Sequence, residues 1–139
     1  MIREFQGEYR WLSNFTSVQI EFEGKTYPSV EHAFMSAKSA DESWKELCAN
    51  GGLTPGQIKQ RSRKIKLVLK WEEIKLQVMK ECLILKFNQQ PYKNLLLKTG
   101  DMHIQEGNNW NDKFWGVSLK DNQGQNNLGK LIMSIRESI

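Results

Sequence analysis

The chain has 139 residues, with 20 Lys plus Arg against 16 Asp plus Glu and a formal net charge of +4. That length suits a single domain, residues 1–139, burying roughly two thirds of the surface its unfolded form exposes, and the mild basic excess suits an anionic ligand without specifying one. Two cysteines, Cys48 and Cys82, are too few for a disulfide framework and lack metal-type spacing, and there is neither a leader pattern nor a run of about 18 apolar residues; the expectation is a soluble, cytoplasmic protein with no membrane association.

In chain order, "SVQIEFEGKTYPS" alternates Val18, Ile20 and Phe22 with polar residues and predicts a hairpin with its tip at Glu23-Gly24. Pro28 ends that run, and Ser29 caps a helix predicted from Val30 to about Ala40. The paired glycines of "ANGGLT" predict a turn, and Thr54-Pro55 starts a helix running toward Arg61. "WEEIKLQVMKECLILKF" places Trp71, Ile74, Val78, Cys82 and Leu85 at three- and four-residue steps, predicting the central packing helix. Pro91 leads into a short helix through "YKNLLLK", capped by Gly100. "MHIQE" reads as a strand, and "GNNWNDKFWG" as an ordered loop. Leu128, Leu131, Ile132 and Ile135 lie on one face of a last helix. The sum is a mainly helical α+β domain with a small antiparallel β-sheet. The five tryptophans, Trp11, Trp44, Trp71, Trp110 and Trp115, read first as packing residues.

Three places can carry chemistry. Within "YPSVEHAFMSAK", a step of 100° per residue gathers Val30, Ala33, Phe34 and Ala37 on a buried face. Glu31 and Lys38, seven residues apart, then share the shoulder of that face about 10 Å apart along the axis, while His32 points away from the core as an exposed or capping imidazole. In "NDKFWG", a loop aims Asp112 beside Trp115. In "GQNNLG", Asn126 precedes the last helix, where amides can meet phosphate or ribose oxygens. The run "KQRSRKIKLVLK" adds Lys59, Arg61, Arg63, Lys64, Lys66 and Lys70, a set able to meet phosphates but also typical of a solvated face.

Taken in order, "WLSNF", "GKTYPSVEHAFMSAK", "KWEEIKLQVMKECLILKF", "LLLKTG", "NDKFWG" and "GQNNLGKLIMSIR" resemble the YbiA-like, or NADAR, domains, from about Phe5 to Arg136. The resemblance implies hydrolysis of an N-glycosidic bond, in ribosylamine intermediates of riboflavin synthesis or in ADP-ribose attached to guanine. By position it implies Glu31, Lys38 and Asp112 as catalytic groups. It also implies a substrate-binding set of Asn14, Phe15, His32, Phe34, Arg61, Trp71, Trp115, Gly116 and Asn126. The chain departs from the family at Ala33, commonly aromatic, and at Met35, commonly glutamine, which bears on base recognition.

The chemistry suits these groups. Cleaving a ribosyl C–N bond builds positive charge on the sugar, which a carboxylate stabilises. A neutral Lys38 can attack C1 of the opened sugar and form a Schiff base. No cofactor and no metal is implied, since His32 and His103 are the only histidines and no ligand cluster forms around them. The implied partner is a nucleotide or ADP-ribosyl substrate, including ADP-ribosylated DNA. The alternative classes are a glycosidase of riboflavin intermediates and a non-catalytic module that binds ADP-ribose or nucleic acid.

Overall fold

Glu23 and Gly24 both have positive φ, 50° and 86°, the pair of left-handed residues that a two-residue hairpin loop requires. They join β1 (Ile20–Phe22) to β2 (Lys25–Tyr27), antiparallel with Ile20 opposite Tyr27 and Phe22 opposite Lys25. In the computed structural model, which describes residues 1–139, this hairpin belongs to one of two units. The hairpin unit is Asn14–Lys86; the termini unit is made from both ends of the chain, Met1–Ser13 with Phe87–Ile139. Since one unit takes both ends, the division does not separate consecutive domains.

In the hairpin unit, β2 leads to α1 (Val30–Ser36), then α2 (Glu42–Asn50), α3 (Pro55–Arg61) and α4 (Trp71–Phe87), whose last residue belongs to the termini unit. All seven residues of α1 are buried, because it packs against β1, β2, α2 and α3. This corrects the one-sided helix expected from the sequence: a short helix enclosed on several sides has no solvated flank. It also ends earlier than about Ala40. Ser36 Oγ donates to Ala33 O at 2.6 Å, and Ala37 N and Lys38 N reach back only three residues, to Phe34 O and Met35 O, both at 3.2 Å, tightening the last turn. α2, not anticipated from the sequence, starts where Asp41 Oδ1 accepts from Ser43 N at 2.9 Å and buries Trp44 and Cys48 one turn apart. α3 begins as expected, with Thr54 and Gln57 in a reciprocal capping box.

Helix α4 has the expected bounds but a different buried stripe. Trp71, Met79, Cys82, Leu83 and Lys86 are buried, whereas Ile74 and Leu76 are each 39% exposed. A lysine with no exposed surface completes the stripe, which a reading of apolar spacing alone misses.

In the termini unit, a 3-10 helix (Gly7–Leu12) carries Trp11, whose ring meets Phe87 edge-on at 6.5 Å. α5 (Tyr92–Lys98) ends, as expected, on left-handed Gly100 (φ 61°). Two-residue strands β3 (Gly107–Asn108) and β4 (Val117–Ser118) pair in parallel around the Asn- and Trp-rich loop, and α6 (Asn127–Ser138) closes the chain with Leu128, Ile132 and Ile135 buried. "MHIQE" forms no strand; only Ile104 bridges, to Ile2. On one edge its backbone meets Ile2 alone, Ile2 N donating to His103 O at 2.8 Å and Gln105 N to Ile2 O at 2.9 Å; on the other edge a side chain takes the place of a strand. Asn126 Nδ2 donates to Ile104 O at 2.9 Å and Asn126 Oδ1 accepts from Glu106 N at 3.0 Å, the pairing an adjacent backbone would offer. The expected fold class, mainly helical α+β with a small antiparallel sheet, is borne out, with the parallel β3–β4 pair in addition.

Candidate active site

The start of α1 is over-determined by hydrogen bonds. Glu31 N donates to Asn14 O at 3.1 Å, and His32 N donates to Ser29 Oγ at 3.1 Å, so two of the helix's orphan donors are met from outside it. His32 is only 3% exposed, which corrects the outward-pointing imidazole. Its Nε2 lies 2.8 Å from Leu53 O and its Nδ1 2.7 Å from Ser29 Oγ. A carbonyl can only accept, so Nε2 carries the proton and Nδ1 accepts from the Ser29 hydroxyl. Both ring nitrogens are engaged, and His32 ties the start of α1 to the Leu53 turn; neither is left for the substrate contact expected of it.

Glu31 is 5% exposed. Lys38 lies beyond the end of α1, so the two are not the aligned pair on one helix that the seven-residue spacing implied; their charges nevertheless interact. Burial lowers the Lys38 pKa below its ordinary 10.5, the Glu31 charge opposes that shift, and the Lys59 and Lys75 charges reinforce it. The Lys38 amine donates to Ser62 Oγ at 3.4 Å, and Lys38 O accepts from Val68 N at 2.8 Å. A half-buried amine within the field of a buried carboxylate, with a lowered pKa, is the arrangement that nucleophilic lysine chemistry uses.

Aromatic and amide groups complete this unit. Phe34 and Trp71 are both buried, with ring centroids 5.2 Å apart and planes at 50°. Asn14 donates through Nδ2 to Met79 Sδ at 3.5 Å, while its Oδ1 is buried without a hydrogen-bond partner. Phe15 is half-buried, its ring beside Gly56 of α3. Arg61 is exposed, as are Arg63, Lys64, Lys66 and Lys70. From Leu47 to Trp71 the sequence contains no acidic residue. Cys48 and Cys82 are buried, which pushes each thiol up to about 12 and leaves neither a thiolate at neutral pH.

The termini unit holds the remaining candidates: Asp112, Trp115, Gly116 and Asn126. Asp112 Oδ1 accepts from Phe114 N at 3.1 Å and Trp115 N at 3.0 Å, and Asn108 clamps the Asp112 backbone with two bonds of 2.9 Å. One carboxylate oxygen therefore folds the loop, and Oδ2 takes no part in these bonds. Trp115 is half-buried and meets Phe114 edge-on at 4.9 Å. Gly116 is required: a Cβ there would lie 2.1 Å from Glu106 O and closer still to Glu106 Oε2. Asn126 sits in the left-handed region (φ 53°), its Nδ2 donating to Ile104 O and its Oδ1 accepting from Glu106 N, which gives it a structural role.

The structure thus brings Glu31, Lys38, Phe34, Trp71 and Asn14 together around α1, and Asp112, Trp115 and Gly116 in one loop. Sequence reasoning missed Ser62, Asn108 and Glu106. Ser62 meets Lys38 only through a contact 24 residues distant in sequence, which no local pattern announces. No three His, Cys, Asp or Glu side chains are grouped so as to hold a metal ion, and no helix is long and apolar enough to cross a membrane.

A profile of the NADAR domain matches residues 2–139. The chain is 34% identical over 134 residues to the N-glycosidase YbiA of Escherichia coli K12, covering 95% of this chain and 82% of that protein. It is 33% identical over 137 residues to the N-glycosidase Npun_R5314 of Nostoc punctiforme, covering 94% and 86%. A riboflavin biosynthesis protein of Vibrio vulnificus, VVA0006, is 31% identical across 93% of this chain, which spans only 35% of that longer protein. The NMR structure of E. coli YbiA superimposes with a TM-score of 0.85, covering 99% of this chain and 82% of that one at 34% identity. With the profile spanning the chain, the fold shared and relatives named for the same bond cleavage, the chain belongs to the NADAR domain family and is an N-glycosidase, a hydrolase of N-glycosyl bonds.

Proposed function

We propose that this N-glycosidase removes ADP-ribose from guanine in nucleotides or DNA, with Lys38 as the nucleophile and Glu31 as its charged partner. The observation that carries the chemistry is the half-buried Lys38 amine, whose pKa burial lowers against the opposing charge of the buried Glu31 carboxylate. At neutral pH a lowered pKa enlarges the neutral fraction, the form that attacks carbon. When the ribosyl ring opens, the Lys38 nitrogen forms a bond to C1 and the base departs with the C–N bonding pair, taking a proton. The iminium left on Lys38 is then hydrolysed by water, returning the amine and releasing the sugar. The Glu31 charge stabilises the cationic sugar along this path.

The preference for an ADP-ribosyl substrate rests on charge. Lys59, Arg61, Arg63, Lys64, Lys66 and Lys70 flank Ser62 and Val68, the two residues that hold Lys38, with no acid among them, a surface suited to a diphosphate or a nucleic-acid strand. Asp112 is the third proposed catalytic group, its Oδ1 holding the Phe114 and Trp115 amides. The proposal keeps a cytoplasmic setting and no cofactor.

A second reading, cleavage of ribosylaminopyrimidine phosphates of riboflavin synthesis, draws support from the matched Vibrio protein, whose name places it in riboflavin biosynthesis. Parallel turnover assays on ADP-ribosylated guanosine nucleotide and on a ribosylaminopyrimidine phosphate decide between the two. Guanine release at a kcat/KM at least about tenfold above the pyrimidine substrate, a difference of about 1.4 kcal/mol in transition-state stabilisation, supports the first reading, and the reverse preference replaces it.

A further inference from the structure

We infer that Ser62 is a positioning residue for Lys38: a hydroxyl that can only accept toward the amine and so turns the free lone pair of nitrogen away from itself, toward the substrate. The inference rests on the proposed role of Lys38 as nucleophile.

Ser62 is 4% exposed and sits where α3 gives way to a single 3-10 turn, Ser62–Lys64. Its Oγ–H donates to Lys59 O at 2.7 Å. A serine hydroxyl has one hydrogen; with that hydrogen committed to Lys59, the oxygen offers Lys38 lone pairs alone. The Lys38 nitrogen, 3.4 Å away, is therefore the donor. A neutral amine has two hydrogens and one lone pair, and a hydrogen directed at Ser62 restricts where the lone pair can point. The main chain is held as well, by Val68 N on Lys38 O at 2.8 Å and by Lys38 N on Met35 O at 3.2 Å. Residues 59–68 thus grip Lys38 twice, at the amine through Ser62 and at the carbonyl through Val68. An uncharged acceptor suits this position. A second carboxylate there would favour the ammonium form strongly, whereas a hydroxyl fixes direction with a much weaker preference for the charged state.

The test compares Ser62→Ala, Ser62→Cys and Ser62→Thr. Cys keeps the side-chain volume but accepts poorly, so it covers the case in which Ala fails to fold; Thr keeps the hydroxyl. Ala and Cys are expected to lower kcat about 10- to 100-fold with KM within about twofold, and Thr to restore kcat to within about threefold of wild type. The hydroxyl supports the ammonium form slightly, so its loss moves the acidic limb of the kcat–pH profile to lower pH even as the plateau falls. A Lys38 that acted only through its pKa would gain, not lose, activity from that movement. Wild-type kcat and an unmoved acidic limb in folded Ala or Cys variants would overturn the inference. Labelling of Lys38 with acetic anhydride across pH, read by peptide mass spectrometry, needs no substrate. A wild-type protein without turnover would defeat the glycosidase substrate proposal, whereas an identical labelling midpoint in wild type, Ala and Cys would defeat the role of Ser62.

Discussion

The two units use the same kinds of residue for different ends. In the hairpin unit, the half-buried Lys38 amine donates to Ser62 Oγ, and its charge state is set by desolvation and by the Glu31, Lys59, Lys75 and Glu72 charges. In the termini unit, Asp112 Oδ1 accepts from two backbone amides, and the Asn126 amide donates to one backbone carbonyl and accepts from one backbone N–H. A polar atom bonded to the main chain holds the fold at that point; a group left partly desolvated and facing other charges is poised to react. The contrast separates candidates that a sequence motif treats alike.

That contrast breaks first at Lys38. Lys38→Ala is expected to reduce kcat by about a thousandfold or more while leaving substrate binding within a few-fold, measured by single-turnover kinetics and by titration of bound substrate. A variant that kept a tenth of the activity would remove the nucleophile from this site. Glu31→Gln comes next, with an expected kcat loss of about 100-fold or more. Its pH profile carries the sign: the Glu31 charge raises the Lys38 pKa, so removing it lets the amine lose its proton at lower pH and moves the acidic limb downward. An upward movement would mean that Glu31 does not act on Lys38.

Asp112 and Asn126 sharpen the scaffold side. Asp112→Asn keeps an oxygen for the Phe114 and Trp115 amides, so any loss of kcat in that variant measures the charge. Asp112→Ala removes the acceptor as well and is expected to cost a further 1–2 kcal/mol or so of stability, read from denaturant midpoints. Asn126→Leu strands Ile104 O and Glu106 N, and about 2–4 kcal/mol of lost stability is expected, with the effect on unfolding rather than on kcat of the folded protein. The smallest effect is a linkage. The Lys38 pKa is lower folded than unfolded, so the unfolded chain binds more protons between those two values and stability rises with pH across that window. Lys38→Met is therefore expected to be slightly more stable than wild type at pH 7, with the difference shrinking as pH approaches 10.5, the ordinary lysine value; thermal melts across that range check it.

What the sequence made legible was local. The Glu23-Gly24 turn, the Thr54-Pro55 helix start, the bounds of α4 and the Gly100 stop each depend on residues within a few positions of one another. What it hid depended on distance. α1 reads as one-sided because its periodicity cannot show that hairpin and helices enclose it, and the His32 ring is buried through Leu53, 21 residues away. "MHIQE" has strand composition, but its backbone partner on one edge is Ile2 alone and on the other edge the Asn126 side chain, and no strand pattern encodes that. Lys86 fills a buried position on α4 that apolar spacing assigns to solvent. The candidate site followed the same rule: Glu31 and Lys38 were visible as a pair, and the groups that hold Lys38, Ser62 and Val68, were not.

The central claim, that Lys38 forms a covalent bond with the sugar, is tested most directly by borohydride trapping. Wild-type protein incubated with ADP-ribosylated guanosine nucleotide and borohydride should gain the mass of the reduced sugar adduct, located on the Lys38 peptide and absent from Lys38→Ala. Guanine release at full rate with no adduct on Lys38 would contradict the account and move the chemistry to a carboxylate acting on water.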